Sequence, residues 1–360
     1  MAEFEDVQHT GGAITIRRAG SQYQLSFVHM RPIRSALVEL FVKADGTPLE
    51  FSPITGMSLR DEAQQPVFMV MLASDAEGLF GQQCPKCNSY FRSAVPFSSR
   101  CPYCGSTAEA VEFITPNQRR FFKAFAESIL TAPEGDTTVD LDQLLDNIPE
   151  NKESPWRYTE ERQQTHFKCA QCGRTFDVLG EYVECPMCGK CTHDVVIERK
   201  LAARNAEFES ARANLTDRHE RENRWQQLLL GCVSDFDGFA NDLRDRLLRL
   251  PATPSRKRAL SSLSFQSIAN ATDRLREWFA FDVLDAIGTE DREFMNVMFN
   301  RRHLFVHRAG RVDQEYIDNS GDTTAKLNQV LRLKSTQIAR LIPLLQRATR
   351  HFIRGFESIE

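Results

Sequence analysis

The chain has 360 residues, of which 41% are hydrophobic and 26% are charged, and its formal net charge is −4. This length exceeds one ordinary hydrophobic core and predicts several structural units. The opening residues 1–10 are acidic rather than apolar, and no apolar run approaches the roughly 20 residues of a membrane-spanning helix, so we expect a cytoplasmic protein with neither a signal peptide nor a membrane span.

Residues 1–80 carry the alternating pattern of half-buried strands. Ile14 and Ile16 alternate with polar neighbours, and Val38, Leu40 and Val42 do the same. The apolar run 67–72 is consistent with a strand covered on both faces. We expect a small β-rich N-terminal domain that supports the rest of the chain or binds a protein partner or ligand.

Eight of the ten cysteines fall into two sets of four with the spacing of a zinc ribbon. The first set lies in residues 81–113 and the second in residues 167–197. The eight cysteines are Cys84, Cys87, Cys101 and Cys104, then Cys169, Cys172, Cys185 and Cys188. Two residues between paired cysteines let both thiolates reach one tetrahedral Zn²⁺. The sequence therefore predicts two zinc ions per chain.

These sites are expected to be structural, because four thiolates leave no coordination position for a catalytic water. The residue after each second cysteine is Asn88, Gly105, Gly173 or Gly189, types that tolerate the positive φ that such a knuckle needs. The ribbons either staple the fold or bind nucleic acid or protein. Cys191 and His193 follow the last knuckle as spare ligands, a reactive thiol or bystanders.

The remaining segments are helical. Residues 114–166 read as short helices and a linker, with Phe121, Phe122, Phe125 and Ile129 at helical spacing. Residues 198–360 read as an all-α bundle that begins with a charged, exposed connecting helix over 198–230. The expected fold class is thus multidomain α+β, with a β-rich segment, two four-cysteine ribbons and a helical bundle.

The C-terminal third is basic. Residues 241–360 contain 20 Lys and Arg against 15 Asp and Glu, a balance of +5, so the first 240 residues carry −9. An anionic partner and a solvated helical surface with surplus arginine are both compatible with this balance. The run 256–258, Arg-Lys-Arg, either contacts phosphate or is a solvated loop.

One segment of the bundle carries a candidate catalytic motif. Arg302 is followed by the polar His303 and, four residues after that, by His307, with Gly310 just beyond. This pattern resembles the signature of the HEPN family, in which four to six residues separate an arginine from a histidine late in an all-helical domain. The resemblance covers roughly residues 200–356. A further pair with similar spacing, Arg212 and His219, lies in the charged helix and is interpreted as a chance match.

The resemblance implies metal-independent cleavage of RNA, in a toxin or antiviral defence effector. His307 is expected to be the acid or base, Arg302 the phosphate clamp and His303 an orienting residue. Arg302 and His307 lie about 140° apart on a regular helix. Either the helix ends near His307, or the site is shared between the subunits of a homodimer formed through the bundle, as the family's habit implies.

Two alternatives stay open. In the first, His307 caps a helix end and Arg302 pairs with an acid, so that the bundle has no catalytic site. In the second, the whole protein is an adaptor, in which the ribbons hold a nucleic acid or a protein and the bundle only dimerises.

Overall fold

The computed structural model describes residues 11–28, 36–52, 66–75, 77–96, 98–148 and 164–359. These residues mix helices and strands, as the sequence predicts. They divide into two compact units, Met1–Thr192 and His193–Glu360. All eight predicted cysteine ligands fall within the first unit, while residues 193–197, the predicted end of the second ribbon, belong to the second unit.

The first unit begins with a hairpin of β1 (Ala13–Ala19) and β2 (Gln22–Val28). Ile14 and Ile16 are fully buried, which confirms their predicted inward face. The other edge of β1 pairs with β8 (Gly135–Asp140), giving the order β2-β1-β8. The sequence did not indicate β8, because its six residues, GDTTVD, contain a single apolar side chain.

A second sheet has the order β4-β3-β5, built from β3 (Leu37–Lys43), β4 (Pro48–Ser52) and β5 (Val67–Ala73). Burial alternates along β5, so its two faces are not equally covered, in contrast to the expectation from its continuous apolar run. Gly46 turns the chain between β3 and β4 with φ 82°. A Cβ there would lie 2.5 Å from the Cα of Lys123, so a close backbone approach requires glycine.

Helix α1 (Pro116–Leu130) completes the core of these strands. Thr115 caps it with a capping box, and Pro116 occupies a first-turn position that needs no amide hydrogen. Its aromatic stripe is buried against Ile14, Ile16 and the β3 residues. Helix α2 (Leu141–Asp146) follows β8. The segment between the ribbons thus shares a core with the N-terminal strands.

The two ribbons share a single sheet. Its order is β6-β7-β10-β9, with β6 at Phe80–Gln83, β7 at Tyr90–Ser93, β9 at Gln164–Lys168 and β10 at Thr175–Leu179. Strands β7 and β10, one from each ribbon, pair antiparallel. This ribbon sheet therefore joins the two metal-binding segments edge to edge.

The second unit contains helices and short connections. They are α3 (His193–Asn214), α4 (Arg218–Leu247), α5 (Pro254–Ser261), α6 (Ile268–Phe279), α7 (Thr289–His307), α8 (Gln314–Ser320) and α9 (Ser335–Glu357). Edge-to-face aromatic pairs join α4 to its neighbours, Phe236 to Phe299 of α7 and Phe239 to Phe352 of α9. In the part of the chain that the structure describes, no helix is both long and apolar enough to cross a membrane.

The expectation of one exposed connecting helix over 198–230 is wrong. The segment breaks between α3 and α4, where the Asp217 side chain accepts from the Glu220 amide and caps α4. Leu201 and Phe208 of α3 are buried, and α3 packs against α4 and α9. The few apolar residues of α3 fall on one face of the helix, so they are enough to pack that face into the bundle.

Candidate metal centres and candidate active site

Each predicted cysteine set converges on one point. The four Sγ atoms of each set lie within 4.8 Å of one another. Between the two cysteine pairs of each set, the Sγ–Sγ distances are 3.7 Å for Cys84–Cys104 and 3.5 Å for Cys169–Cys188. Zinc–sulfur bonds of about 2.3 Å in a tetrahedron place sulfurs ~3.8 Å apart. Both sets therefore fit a zinc ion, with all four positions filled by sulfur.

The four knuckles repeat one backbone arrangement. In the first, the Asn88 amide donates to the Cys84 carbonyl at 2.9 Å and the Cys84 amide donates to the Ser89 carbonyl at 3.0 Å. The same two bonds recur at the other three knuckles. The predicted positive φ is confirmed at all four positions, with 58° at Asn88, 66° at Gly105, 69° at Gly173 and 76° at Gly189.

Hydrogen bonds lower the pKa of one thiol in each set. Burial alone would raise the pKa of the Cys84 thiol, but the Ser106 hydroxyl and neighbouring backbone amides lower it to about 6. The pKa of Cys169 falls to about 7 against the same burial, through backbone amides. Ser106 Oγ lies 2.9 Å from Cys104 Sγ. The sequence did not single out Ser106, although its place two residues after a ligand was a usable signal.

Strands β7 and β10 bring opposite charges together at equivalent positions of the repeat. Arg92 and Asp177 each follow the buried phenylalanine of their ribbon, and they face each other across the strand pair. Arg92 Nε donates to Asp177 Oδ2 at 2.8 Å, and a further guanidinium nitrogen bonds Asp75. Arg92 is 4% exposed and Asp177 is 0% exposed. Burial lowers the pKa of Arg92, but Asp177 and Asp75 raise it above its ordinary value.

A second pair of opposite charges also lies at equivalent positions of the repeat. Arg100 and Glu184 each precede the third cysteine of their set, and Arg100 Nη1 lies 3.0 Å from Glu184 Oε2. In both pairs the first ribbon supplies the arginine and the second supplies the acid. The two ribbons are thus complementary halves of one assembly, and neither half presents the charges needed to pair with a copy of itself.

Cys191 and His193 lie outside the cysteine clusters of the described residues. Cys191 forms a β-bridge with Glu184, as Thr107 does with Arg100 in the first ribbon, so it occupies a non-ligand position of the repeat. His193 begins α3 and its Nε2 lies 2.6 Å from Asp242 Oδ2 of α4. Burial lowers the pKa of His193.

The candidate active site lies at the C-terminal end of α7. His303 and His307 are both exposed, and their ring centroids are 4.5 Å apart. The helix ends at His307, and Ala309 and Gly310 follow with φ 50° and 79°. The Gly310 amide donates to the Leu304 carbonyl. The helix thus ends near His307, but Arg302 and His307 both lie within α7, so the helix end alone does not bring the two side chains together.

Adjacent arginines at this helix end have different surroundings. Arg301 is buried, and its Nη2 donates to Asp322 at 2.7 Å while its Nε donates to the Tyr316 hydroxyl. Arg302 is half-buried, and its Nη1 donates to the amide oxygen of Gln266 at 2.9 Å. Among the described residues, Arg302 has neither an acid within ion-pair distance nor a hydrogen bond to His303 or His307. The alternative in which Arg302 pairs with an acid is therefore not observed.

The chance-match pair has no such arrangement. Arg212 lies 3.3 Å from Glu209 and stacks over Phe208 near the end of α3. His219 lies at the start of α4, beyond the break between the two helices. Arg212 is therefore engaged in contacts on the surface of α3, and the break between the two helices separates it from His219.

Comparisons of the chain with protein-family models, with curated proteins and with solved structures returned no match.

Proposed function

We propose that the chain is a metal-independent endoribonuclease whose catalytic groups lie at the end of α7. The observation that carries the proposal is the exposed pair of rings, His303 and His307, 4.5 Å apart. Beside them Arg302 has an amide rather than an acid as its partner. The resemblance of this segment to the HEPN signature supports the same function.

These groups suit cleavage by the 2′-hydroxyl of RNA. One histidine takes the hydroxyl proton as the 2′-oxygen bonds to phosphorus, and an imidazolium returns a proton to the 5′-oxygen as the P–O5′ bond breaks. The products are a 2′,3′-cyclic phosphate and a 5′-hydroxyl. Arg302 binds the non-bridging oxygens and stabilises their charge in the transition state. His307 is the acid or base, and His303 orients or assists it.

We also propose that the site is completed in a homodimer. Apolar side chains are exposed on α7 and on the segment that bridges to the turn after it, with Val306 46% exposed, Leu327 53% and Val330 56%. Apolar surface of this kind is what a subunit contact buries. A second copy seated here would bring another histidine pair towards Arg302. In this proposal the first unit senses a trigger, docks to a partner or restrains the ribonuclease, and the protein acts as a toxin or an antiviral defence effector.

The test is cleavage of single-stranded RNA by the full chain in the presence of EDTA. RNA should be cut to products with a 2′,3′-cyclic phosphate, and DNA of the same sequence should be inert because it lacks the 2′-hydroxyl. His307→Ala and Arg302→Ala should each lower the rate by about 10²–10⁴-fold.

The matched control is the chance pair. Arg212→Ala and His219→Ala remove the same side-chain types from the same unit and should leave the rate unchanged. If no RNA is cut, or if cleavage survives loss of both Arg302 and His307, the adaptor becomes the better account of the protein.

A further inference from the structure

Helix α5 concentrates positive charge that the protein itself does not neutralise. Arg256, Lys257 and Arg258 are consecutive, and they lie in a helix, not in the solvated loop that was one of the two alternatives left open by the sequence. Arg256 and Arg258 are exposed and Lys257 is half-buried. Within the described ranges, no acidic side chain lies within ion-pair distance of any of the three. Residues 246–272 contain no Asp or Glu at all.

Unpaired arginines are not the rule in this unit. A longer acid-free stretch, 323–356, carries seven Lys and Arg. Four of these arginines form ion pairs with acids of other helices, namely Arg332 with Glu222, Arg340 with Glu290 and Asp291, Arg347 with Asp291, and Arg350 with Glu198. The cations of α5 lack such partners, so their charge faces solvent and is open to an external anion.

The placement of these charges also opposes local helix stability. Arg256 and Lys257 follow the capping residue Thr253 within the first turn of α5, where the helix macrodipole favours acids and disfavours cations. A side chain that breaks a local preference without a compensating contact inside the fold marks a functional position more often than a structural one.

The loop after α5 leads directly to the candidate active site. Gln266 of this loop accepts the hydrogen bond from Arg302, and the loop is held to α4 by Arg244, which donates to the Leu263 carbonyl at 2.9 Å. Three of the seven intervening residues are in α5, so the Cα atoms of Arg258 and Gln266 are at most about 22 Å apart. A stacked strand with one phosphate per ~3.4 Å covers that distance with about seven nucleotides.

We infer that α5 binds backbone phosphates of single-stranded RNA on one side of the phosphate held by Arg302. The inference rests on the proposed ribonuclease function, which supplies the reason for a polynucleotide. An anionic membrane fits less well, because the buried apolar residue of α5, Leu260, faces the protein core and a membrane-surface helix needs an apolar face to insert.

The experiment measures binding without cleavage. A 12-nucleotide 2′-O-methyl oligouridine, labelled with a fluorophore, cannot be cut because its 2′-oxygen carries no proton. Its affinity for the full-length chain is measured by anisotropy between 50 and 200 mM salt. Changing Arg256, Lys257 and Arg258 together to Gln, which keeps helix propensity, should lower the slope of log K against log salt by about 2 and weaken binding on the order of 100-fold at 0.1 M salt.

The control variant changes Arg221, Arg224 and Arg354 to Gln. It removes the same charge from exposed sites of the same unit that also lack an acidic partner among the described residues, and it should change the slope by much less. Equal losses in both variants, or no binding by the wild-type chain, overturn the inference. So does selective binding of phosphatidylserine vesicles that the α5 variant abolishes. If binding behaves as expected but no RNA is cut, the proposed ribonuclease function fails and the α5 surface stands.

Discussion

The ribbon sheet and the end of α7 satisfy their polar groups in opposite ways. In the ribbon sheet, eight cysteine sulfurs converge on two sites that could each hold a zinc ion, and the buried Arg92 is surrounded by carboxylates. At the end of α7, two imidazoles are exposed side by side and Arg302 has one amide partner. Groups whose bonding is complete inside the fold contribute stability, whereas groups left with unused capacity can act on a substrate. Substitutions in the first region should therefore reduce stability, and those in the second should reduce activity.

Removal of zinc should have the largest effect. Structural zinc contributes an apparent ~10–16 kcal/mol in small domains, so Cys84→Ser or a strong chelator should unfold the ribbon sheet. Helices α3–α9 should keep their protection in hydrogen exchange. Metal analysis of the wild-type protein, purified without added zinc, should give two ions per chain. A stoichiometry near zero, or an intact ribbon sheet after chelation, would contradict the structural role.

Arg92→Met should be the most damaging single change that leaves all ligands in place. It strands Asp177 and Asp75 in a buried site without a cation, at a cost of about 3–5 kcal/mol. Replacing Arg92 and Asp177 together with Met and Leu should recover much of the loss, since only Asp75 then stays unpaired. Urea unfolding in excess zinc measures both. Equal stabilities for the single and double variants would show that the buried pair is not what couples the two ribbons.

Arg301 and Arg302 are adjacent in α7, so a structural role and a catalytic role can be tested separately at neighbouring positions. Arg301→Met should destabilise the bundle by about 3–5 kcal/mol, because Asp322 loses its buried cation. Arg302→Met breaks one hydrogen bond to an amide, so its cost in stability should be about 0.5–1.5 kcal/mol. RNA cleavage should fall far more in Arg302→Met than in Arg301→Met when both are assayed well below their unfolding temperatures. The reverse order would place the phosphate-binding group at Arg301.

The sequence was a sufficient guide where chemistry fixes spacing. Metal geometry dictates two residues between paired cysteines and a residue tolerant of positive φ after them, so the ligand sets and knuckles were predictable. The pairing of β7 with β10 was not, because contacts between segments 85 residues apart leave no local periodicity. Arg92 and Asp177 carry no sign of burial until that pairing is known. Strand β8 was missed because an edge position needs few apolar residues, and the sequence alone did not distinguish Arg301 from Arg302.

Acid should loosen the turn beyond α7 before it affects α5. Burial alone would raise the pKa of the Asp322 carboxyl, but hydrogen bonds from Arg301, Thr324 and Tyr316 hold it well below its usual range. A depressed folded-state pKa adds stability above the unfolded value, near pH 4, that is lost as the pH falls below it. The protection of α8 amides, measured relative to their intrinsic exchange rate at each pH, should therefore fall below about pH 4 in the wild-type protein. In Asp322→Asn, this protection should be lower at neutral pH and change less with acid.

The smallest expected effect tests whether charge complementarity selects the pairing of the ribbons. Arg100 is 37% exposed and Glu184 is 7% exposed, so solvent screens the pair and its coupling should be only about 0.5–1 kcal/mol. Arg100→Glu places two acids together, and Glu184→Arg places two arginines together beside Gly105 and Gly189. Each single change should lower the unfolding midpoint in zinc, while the exchanged pair should be more stable than the sum of the two losses predicts. Arg100 and Glu184 each lie one residue before a cysteine ligand in equivalent knuckles. Steric effects of a new side chain therefore lower the stability of each single variant, but they largely cancel in the double-mutant cycle. Strict additivity would mean that the opposite charges of Arg100 and Glu184 do not contribute to the selection of the ribbon pairing.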